Sequence, residues 1–320
     1  MKLFFEDAQK IKETKQKRNF AYNFPMEINP KEIPVPQLHG YLLGAIGPRP
    51  IAFASTIDAN GNPNLAPFSF FNVFSANPPV LIFSPARSGR TNTQKHTYEN
   101  IREVPEVVIN VVTHAMVHQM SLASTEYPKG VNEFTKAGFT ALASSVVRPF
   151  RVKESPVQFE CKVNQVIELG NGGGAGNLIL CEVVKIHIDD QVVNAKGAID
   201  QQKIDLVARM GGNWYCRAHG EALFEVDKPL TTLGIGVDAI PASIRESKIL
   251  SANNLGQLGN VAHLPSDEEI LEYSKRDEVA SLLRDSKHQI DTAHLYAKKL
   301  LDQQQVKEAW MVLLSIEKHK

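Results

Sequence analysis

The chain has 320 residues, of which 43% are hydrophobic and 22% charged, with 35 Lys plus Arg against 35 Asp plus Glu. That composition excludes wholesale disorder, and the length is enough to bury a core without disulfides or metals. A net charge of zero leaves no overall basic field for a phosphate polymer, so no nucleic-acid partner is expected.

The N-terminus, MKLFFEDAQK, offers only Leu3, Phe4 and Phe5 before Glu6 and Asp7. That is too short for the core of a signal peptide. No run approaches the length needed to cross a bilayer. Cys161, Cys181 and Cys216 are odd in number and widely spaced, which fits neither a disulfide framework nor a CxxC metal knuckle. Cys161 and Cys181 sit in apolar runs and read as small core residues. A cytoplasmic protein with no membrane partner is the expectation.

Residues 1–20 carry Lys10, Lys12, Lys15, Lys17 and Arg18 and read as an exposed helix or loose arm, a basic run being more often a solvated face than a site. Over 25–50 the prolines at 25, 30, 34, 36, 48 and 50 predict an extended lead-in with turns and no helix. Ile51–Ile57 is a strand, Asn60-Gly61 a hairpin turn, and NLAPFSFFN a second strand ending near Asn72. Pro67 makes that strand an edge or a bulge. Short buried strands follow at 79–84 and 106–112. Between them KHTYENIREV is a helix capped by Thr or Asn of the preceding 90–93 run. Residues 113–125 read as a helix capped by Thr113, and 131–137 as a short one.

The stretch 157–169 alternates, with Phe159, Cys161 and Val163 on one face and Glu160, Lys162 and Asn164 on the other, a half-buried strand. GNGGGAG at 170–176 is a flexible turn to a long returning strand. Strands in hairpin order with few helices between them argue for an antiparallel barrel. A doubly wound sheet would need a helix after each strand. From about 266, Val279, Leu282, Leu283, Ile290, Ala293, Ala297, Leu300, Leu301, Val306, Trp310, Leu313 and Leu314 recur at helical spacing. They predict two or three amphipathic helices needing a partner surface, either the barrel or a second subunit.

Gly170, Gly172 and Ala175 satisfy a dinucleotide fingerprint, but a strand pattern follows where a helix should open, so the hairpin tip is preferred. His114 and His118 share a helical spacing without the glutamate or third ligand of a zinc site; no metal is expected. The cysteines favour packing over a thiolate, and no G-x-S-x-G elbow occurs. His187 on the long strand reads as a structural histidine.

The informative segment is 47–96. Its polar groups gather at strand ends: Ser69, Asn72, Ser84, Arg87, Ser88, Arg90, Thr91 and Thr93. Two arginines offer charge for a phosphate, while hydroxyls and helix amides offer donors. Phe68, Phe70 and Phe71 offer flat apolar surface. A planar ring with a phosphate tail would suit them.

The segment closely resembles flavin reductase-like proteins of the FMN-binding split-barrel class. The resemblance rests on PRPIAF at 48–53, NLAPFSFFN at 64–72, NPPVLIFS at 77–84 and VVINVV at 107–112. VNEFTKAG at 131–138, ESPVQFECKV at 154–163, EVVKIHIDD at 182–190 and RMGGNWYCR at 209–217 extend it. It spans roughly 38–220, in order.

The resemblance implies a mainly β fold with α additions: an antiparallel, Greek-key-like split β-barrel over 38–235. An N-terminal arm over 1–37 and a helical extension over 236–320, packing on the barrel or on a dimer partner, complete the chain. It further implies a homodimer with non-covalent FMN near the subunit interface, and hydride transfer from NADH or NADPH to FMN and on to flavin or another acceptor. A monooxygenase is one such partner. By the family pattern the ring lies against Arg49, Pro50, Ile51 and Ala52 and against Pro67, Phe68, Ser69, Phe70 and Asn72. The phosphate is held by the residues matching Ser84, Arg87, Arg90, Thr91 and Thr93. Asn92 stands where many relatives carry an acid. No acid or base need stand out, because the flavin performs the chemistry. The alternative implied by the same pocket is a non-catalytic FMN-binding protein that stores or senses the cofactor.

Overall fold

The computed structural model describes residues 26–230, 233–284 and 289–317. The arm expected over 1–20 lies outside them. The chain divides into two compact units, 1–224 and 225–320, upstream of the 235/236 boundary implied by the resemblance.

The first helix, α1 (Val35–Ala45), falls where the prolines had predicted none. Pro34 is its N-cap and Pro36 lies in its first turn, where a missing N–H costs nothing and the fixed φ suits the helix. The other prolines stay outside it.

The barrel is one seven-stranded antiparallel sheet. Its strands are β1 (Ala52–Ile57), β2 (Pro63–Phe68), β3 (Phe71–Ala76), β4 (Pro79–Phe83), β5 (Glu106–Asn110), β8 (Val157–Glu168) and β9 (Asn177–Ile188). Their order is β2-β1-β5-β8-β9-β4-β3. The strands at the two ends of that order are joined through Ser69 and Phe70 alone, so the sheet must curl until its ends meet. The second strand of the sequence reading is thus two strands, broken at this corner. Gly61, at φ +85°, makes the β1–β2 turn, and the Asn77–Pro78 bond in the β3–β4 turn is cis.

Strand β1 is buried on both faces. Ala52 and Ala54 face the barrel interior with Leu81, Phe83, Ile109, Cys161, Ile179 and Cys181. Ile51 and Phe53 face a second core with Leu65, Met116, Met120 and Phe134. That second core is covered by α3 (Val117–Leu122) and α4 (Glu133–Ala137). Buried Asn110 ties three elements by donating to Phe53 O at 2.9 Å and accepting from Val152 N at 2.9 Å, Val152 belonging to the short β6 (Ala141–Leu142) and β7 (Arg151–Val152) pair.

On β2, Leu65 N donates away from β1 to the Glu133 carboxylate at 3.1 Å. Period 2 then directs positions 63 and 67 the same way, and both are proline. Burial pushes the Glu133 carboxyl up, against the amide bonds that favour its ionised form.

Three local expectations need correction. Helix α2 (His96–Glu103) has Lys95 at its N-cap and no side-chain cap: Thr91 and Thr93 bond to one another at 2.8 Å, and Asn92 bonds to Arg87. The 113–125 helix is a 3₁₀ turn at 114–116 followed by α3, and Thr113 supplies no cap bond. Glu160 is fully buried, whereas Lys162 and Asn164 of its expected polar face are exposed. The 145–147 segment folds over it, so its carboxylate accepts from Ser145 N (2.7 Å), Val146 N (2.6 Å) and Val147 N (3.1 Å). His187 Nε2 lies 2.6 Å from the same carboxylate, the structural role expected of that histidine.

The barrel unit ends with the hairpin β10 (Leu206–Arg209) and β11 (Tyr215–Ala218). It is anchored by paired backbone bonds between Arg49 and Arg209 at 2.9 and 2.8 Å.

The second unit is helical: α5 (Ala242–Arg245), α6 (Ala252–Gly259), α7 (Asp267–Ser274), α8 (Asp277–Arg284), α9 (Gln289–Asp302) and α10 (Val306–Glu317). Capping boxes open α6 at Ser251 and α7 at Ser266. The apolar stripes meet one another: Val279, Ala293, Ala297, Leu300, Leu301, Trp310 and Leu313 share a core with Ile240, Ile244, Leu250 and Leu258. Ile290 stays exposed. Trp310 is fully buried, and its Nε1–H donates to Leu258 O at 3.0 Å.

Candidate functional site

The corner that closes the sheet is also where the unit opens. Pro67 and Phe68, with Ser124, are common to two pockets. One, of about 220 Å³, is bounded by Asn64, Ala66, the 93–97 turn into α2, the 123–127 turn and Glu133. The other, of about 420 Å³, is bounded by Ile51, Ser69, Met120, Ser121, Arg209, Asn213 and Tyr215.

The smaller pocket holds a charge cluster. Glu126 pairs with Lys95 at 2.5 Å and with Arg90 at 2.9 Å. Lys95, by hydrogen bond and charge, and then Arg90 hold its carboxyl below the usual range. The loop carrying these cations is built from within. Ser88 is buried, and its hydroxyl accepts from Arg90 N and Thr91 N at 3.4 and 3.3 Å. Arg87 donates to the Asn92 side chain at 2.7 Å and to its carbonyl at 2.6 Å, with Asn92 at φ +56°.

The glycine turn at 170–176 is the buttress of this loop. Arg87 N donates to Ala175 O at 2.8 Å, Gly174 N to Arg87 O at 3.1 Å, and Asn92 Nδ2 to Asn171 O at 3.0 Å. A Cβ on Gly173 would lie 3.1 Å from Ser88 O and 3.3 Å from Gly89 O, so glycine here permits close backbone approach.

Arg49 is 6% exposed. Its guanidinium donates to the carbonyls of Leu43 (2.8 Å), Ile46 and Met210 (2.8 Å), and to Ser69 Oγ at 3.5 Å. It thereby satisfies carbonyls at the end of α1 and braces both the β10–β11 hairpin and the corner. Burial, then the nearby charge of Arg209, pull its pKa below the ordinary arginine value.

Of the residues expected at the site, Ile51, Pro67, Phe68, Ser69 and Thr93 bound the pockets. Arg49 stands behind Ser69, and Arg90 joins through Glu126. The others bound neither pocket. Ala52 is fully buried in the barrel interior, Pro50 and Thr91 are exposed, and Arg87 is spent within its loop. Phe70 is exposed beside His39, ring centroids 6.3 Å apart. Asn72 Oδ1 accepts from Val73 N at 2.8 Å. The Ser84 hydroxyl is buried without a protein partner, against Gly176, where a Cβ would come within 2.9 Å. Lys95, Ser121, Ser124, Glu126, Arg209, Asn213 and Tyr215 were not singled out from sequence. RMGGNWYCR was noticed as a segment but given no role, and the serines of SLAST carry no signal apart from the fold.

Together the pockets offer cations at Lys95 and Arg209, hydroxyls at Ser69, Thr93, Ser121, Ser124 and Thr125, and flat apolar surface at Phe68 and Tyr215. This donor set fits a ring with an anionic tail. Among the described residues no cluster of three or more His, Cys, Asp or Glu is placed to hold a metal, and no helix is long and apolar enough to cross a membrane.

Comparison with known proteins agrees with the fold. The model of the flavin reductase-like domain matches residues 45–203. A protein of Aquifex aeolicus, itself uncharacterised, is 36% identical over 201 residues, 63% of this chain and 100% of its own length. The structure of nitrilotriacetate monooxygenase component B from Bacillus cereus is 30% identical, with a TM-score of 0.59, over 64% of this chain and 100% of that one. A split-barrel protein from Shewanella frigidimarina is 26% identical, with a TM-score of 0.54, over 63% and 99%. The remainder of this chain has no counterpart in those three. Sequence, sheet closure and relatives converge: the chain belongs to the flavin reductase-like family and carries its split-barrel fold.

Proposed function

We propose that the protein is an NAD(P)H-dependent FMN oxidoreductase. The observation that carries the reading is the pair of pockets on either side of the Pro67–Ser69 corner, one edged by Lys95 and Thr93, the other by Phe68 and Tyr215. When bound, FMN accepts a hydride from the reduced nicotinamide and passes the electrons to free flavin or to a flavin-consuming partner enzyme. The chain's own work is binding and orientation. The corner is held rigid by Arg49, and the edge strand before it by Glu133. Lys95 and Thr93 receive the phosphate tail, which competes with Glu126 for the lysine. Stacking a second planar reactant on the ring is a matter of proximity.

Two copies form the working unit in this reading. Exposed Val73 and Phe74 on β3 and Ile186 and Ile188 on β9 supply apolar surface of the kind that association covers. The free thiols Cys161, Cys181 and Cys216 suit a reducing cytoplasm.

The test is the visible absorbance of the purified protein with FMN, before and after NADH or NADPH under nitrogen. Flavin bands that bleach are expected. Bands that neither nucleotide bleaches would leave a storage or sensing protein, and failure to retain any flavin would remove the cofactor. Lys95→Met is expected to weaken FMN binding roughly tenfold, the loss of one charge-assisted contact, and to leave riboflavin binding unchanged. Flavin fluorescence quenching measures both.

A further inference from the structure

The larger pocket has an electrostatic character that the smaller one lacks. No aspartate or glutamate bounds it, whereas Glu126 and Glu133 both bound the smaller one. Arg209 at its edge lies over the Tyr215 ring, its guanidinium carbon 4.6 Å from the centroid. Arg49, buried behind Ser69, has carbonyl oxygens and a serine hydroxyl for partners. Among the described residues neither guanidinium has a carboxylate within ion-pairing distance. The two residues are bonded through their backbones, and burial, then the charge of Arg209, lowers the Arg49 pKa.

A stacked arginine presents its N–H fork in a plane suited to bidentate contact with an oxyanion. Around it stand the hydroxyls of Ser69 and Ser121 and the amide of Asn213. Flat apolar surface comes from Phe68 and Tyr215. The hairpin that carries Arg209 is fixed. Its backbone pairs with Arg49, and a Cβ on Gly211 would lie only 3.0 Å from Gly44 Cα of α1. The cation is therefore presented from a rigid scaffold.

We propose that this pocket selects the second reactant by an oxyanion group, carboxylate or phosphate, on a planar molecule, with Arg209 as its counter-ion. The inference rests on the flavin reading for what the reactant meets, but the anion site stands on this pocket's own charges.

The test titrates FMN-loaded protein with two matched pairs, benzoate against benzamide and nicotinamide mononucleotide against nicotinamide riboside. The perturbed flavin band is followed, and the titrations are repeated on Arg209→Gln. The backbone bridge to Arg49 does not involve the substituted side chain, and circular dichroism checks the fold. The anionic member of at least one pair is expected to bind roughly 10- to 100-fold more tightly than its neutral counterpart, as for hydrogen bonds to charged groups. Arg209→Gln is expected to abolish that preference. Preference in the first pair identifies a carboxylate reactant, and in the second a phosphate-bearing one. Equal binding within both pairs would overturn the proposal. So would an Arg209→Gln variant that loses FMN affinity but keeps riboflavin affinity, since the guanidinium would then serve the cofactor's own phosphate. Calorimetry of the same probes on flavin-free protein separates the two readings: if no flavin binds at all, an anion preference that disappears in Arg209→Gln still supports the site.

Discussion

Glu160→Leu is expected to destabilise the barrel unit by about 3–5 kcal/mol, the range for removing one partner of a buried charged network. Leucine fills much the same volume but accepts no hydrogen bond. The amides of Ser145, Val146 and Val147 then lose their acceptor, each at about 1–3 kcal/mol where water cannot replace it, and His187 loses its partner. Glu160→Gln keeps one oxygen and is expected to lose about half as much. Urea unfolding at neutral pH, followed by circular dichroism, measures both.

The pH dependence supplies a second reading. Burial alone would raise the Glu160 pKa, but the three amides and His187 together outweigh it, and the folded value lies below the ordinary one. The unfolded chain therefore binds the proton more readily. The stabilisation is complete above the unfolded value, roughly 4.3, and is lost as pH falls through the folded value. Glu160→Gln is expected to lack this part of the acid loss. Parallel acid curves for the two proteins would refute it.

Trp310→Ala is expected to cost the helical unit about 3–5 kcal/mol, as large-to-small changes at fully buried aromatic sites do. The side chain is completely enclosed, and its loss also strips Leu258 O of a donor. The other tryptophan, Trp214, is 78% exposed on the barrel unit's hairpin. Blue-shifted emission in the native protein is therefore expected from Trp310 alone, and the variant is expected to show only solvent-exposed emission. Since each unit has its own core, differential scanning calorimetry should show the helical unit's transition moving while the barrel transition stays. Equal shifts in both would mean the units unfold as one.

Most of the barrel was legible because its long strands announce themselves. The twelve-residue strand β8 carries a period-2 pattern, β9 follows the glycine turn as a long run rich in strand formers, and Asn60-Gly61 marks the first hairpin. Three features were hidden for physical reasons. Proline forbids a helix interior but favours its first turn, so Pro34 and Pro36 mark the start of α1 as readily as they deny it. The corner at Ser69–Phe70 is invisible because β-formers run through it, and only sheet closure requires the break. Glu160 reads as solvent-facing because alternation assigns a face, not which other segment of chain lies over it.

The site divides along similar lines. Pro67–Ser69 could be found from the strand that carries it. Lys95 and Glu126, or Arg49 and Arg209, meet only through the fold, as distant segments around one opening. The arginines nearest in sequence to the expected phosphate loop are partly consumed: Arg87 braces the loop, and Arg90 is paired with Glu126.

Strand β2 has a consequence for how copies of the protein can meet. Its outward row of backbone donors is erased, with Pro63 and Pro67 having no N–H and Leu65 giving its own to Glu133. At the far end of the sheet, β3 carries an irregularity between Val73 and Ser75. Neither margin is a clean template on which a foreign strand could grow. Self-association is therefore steered toward side-chain faces and away from runaway β-stacking. In the dimer proposed above, burying Phe74 and Ile186 against another copy would need no open strand edge.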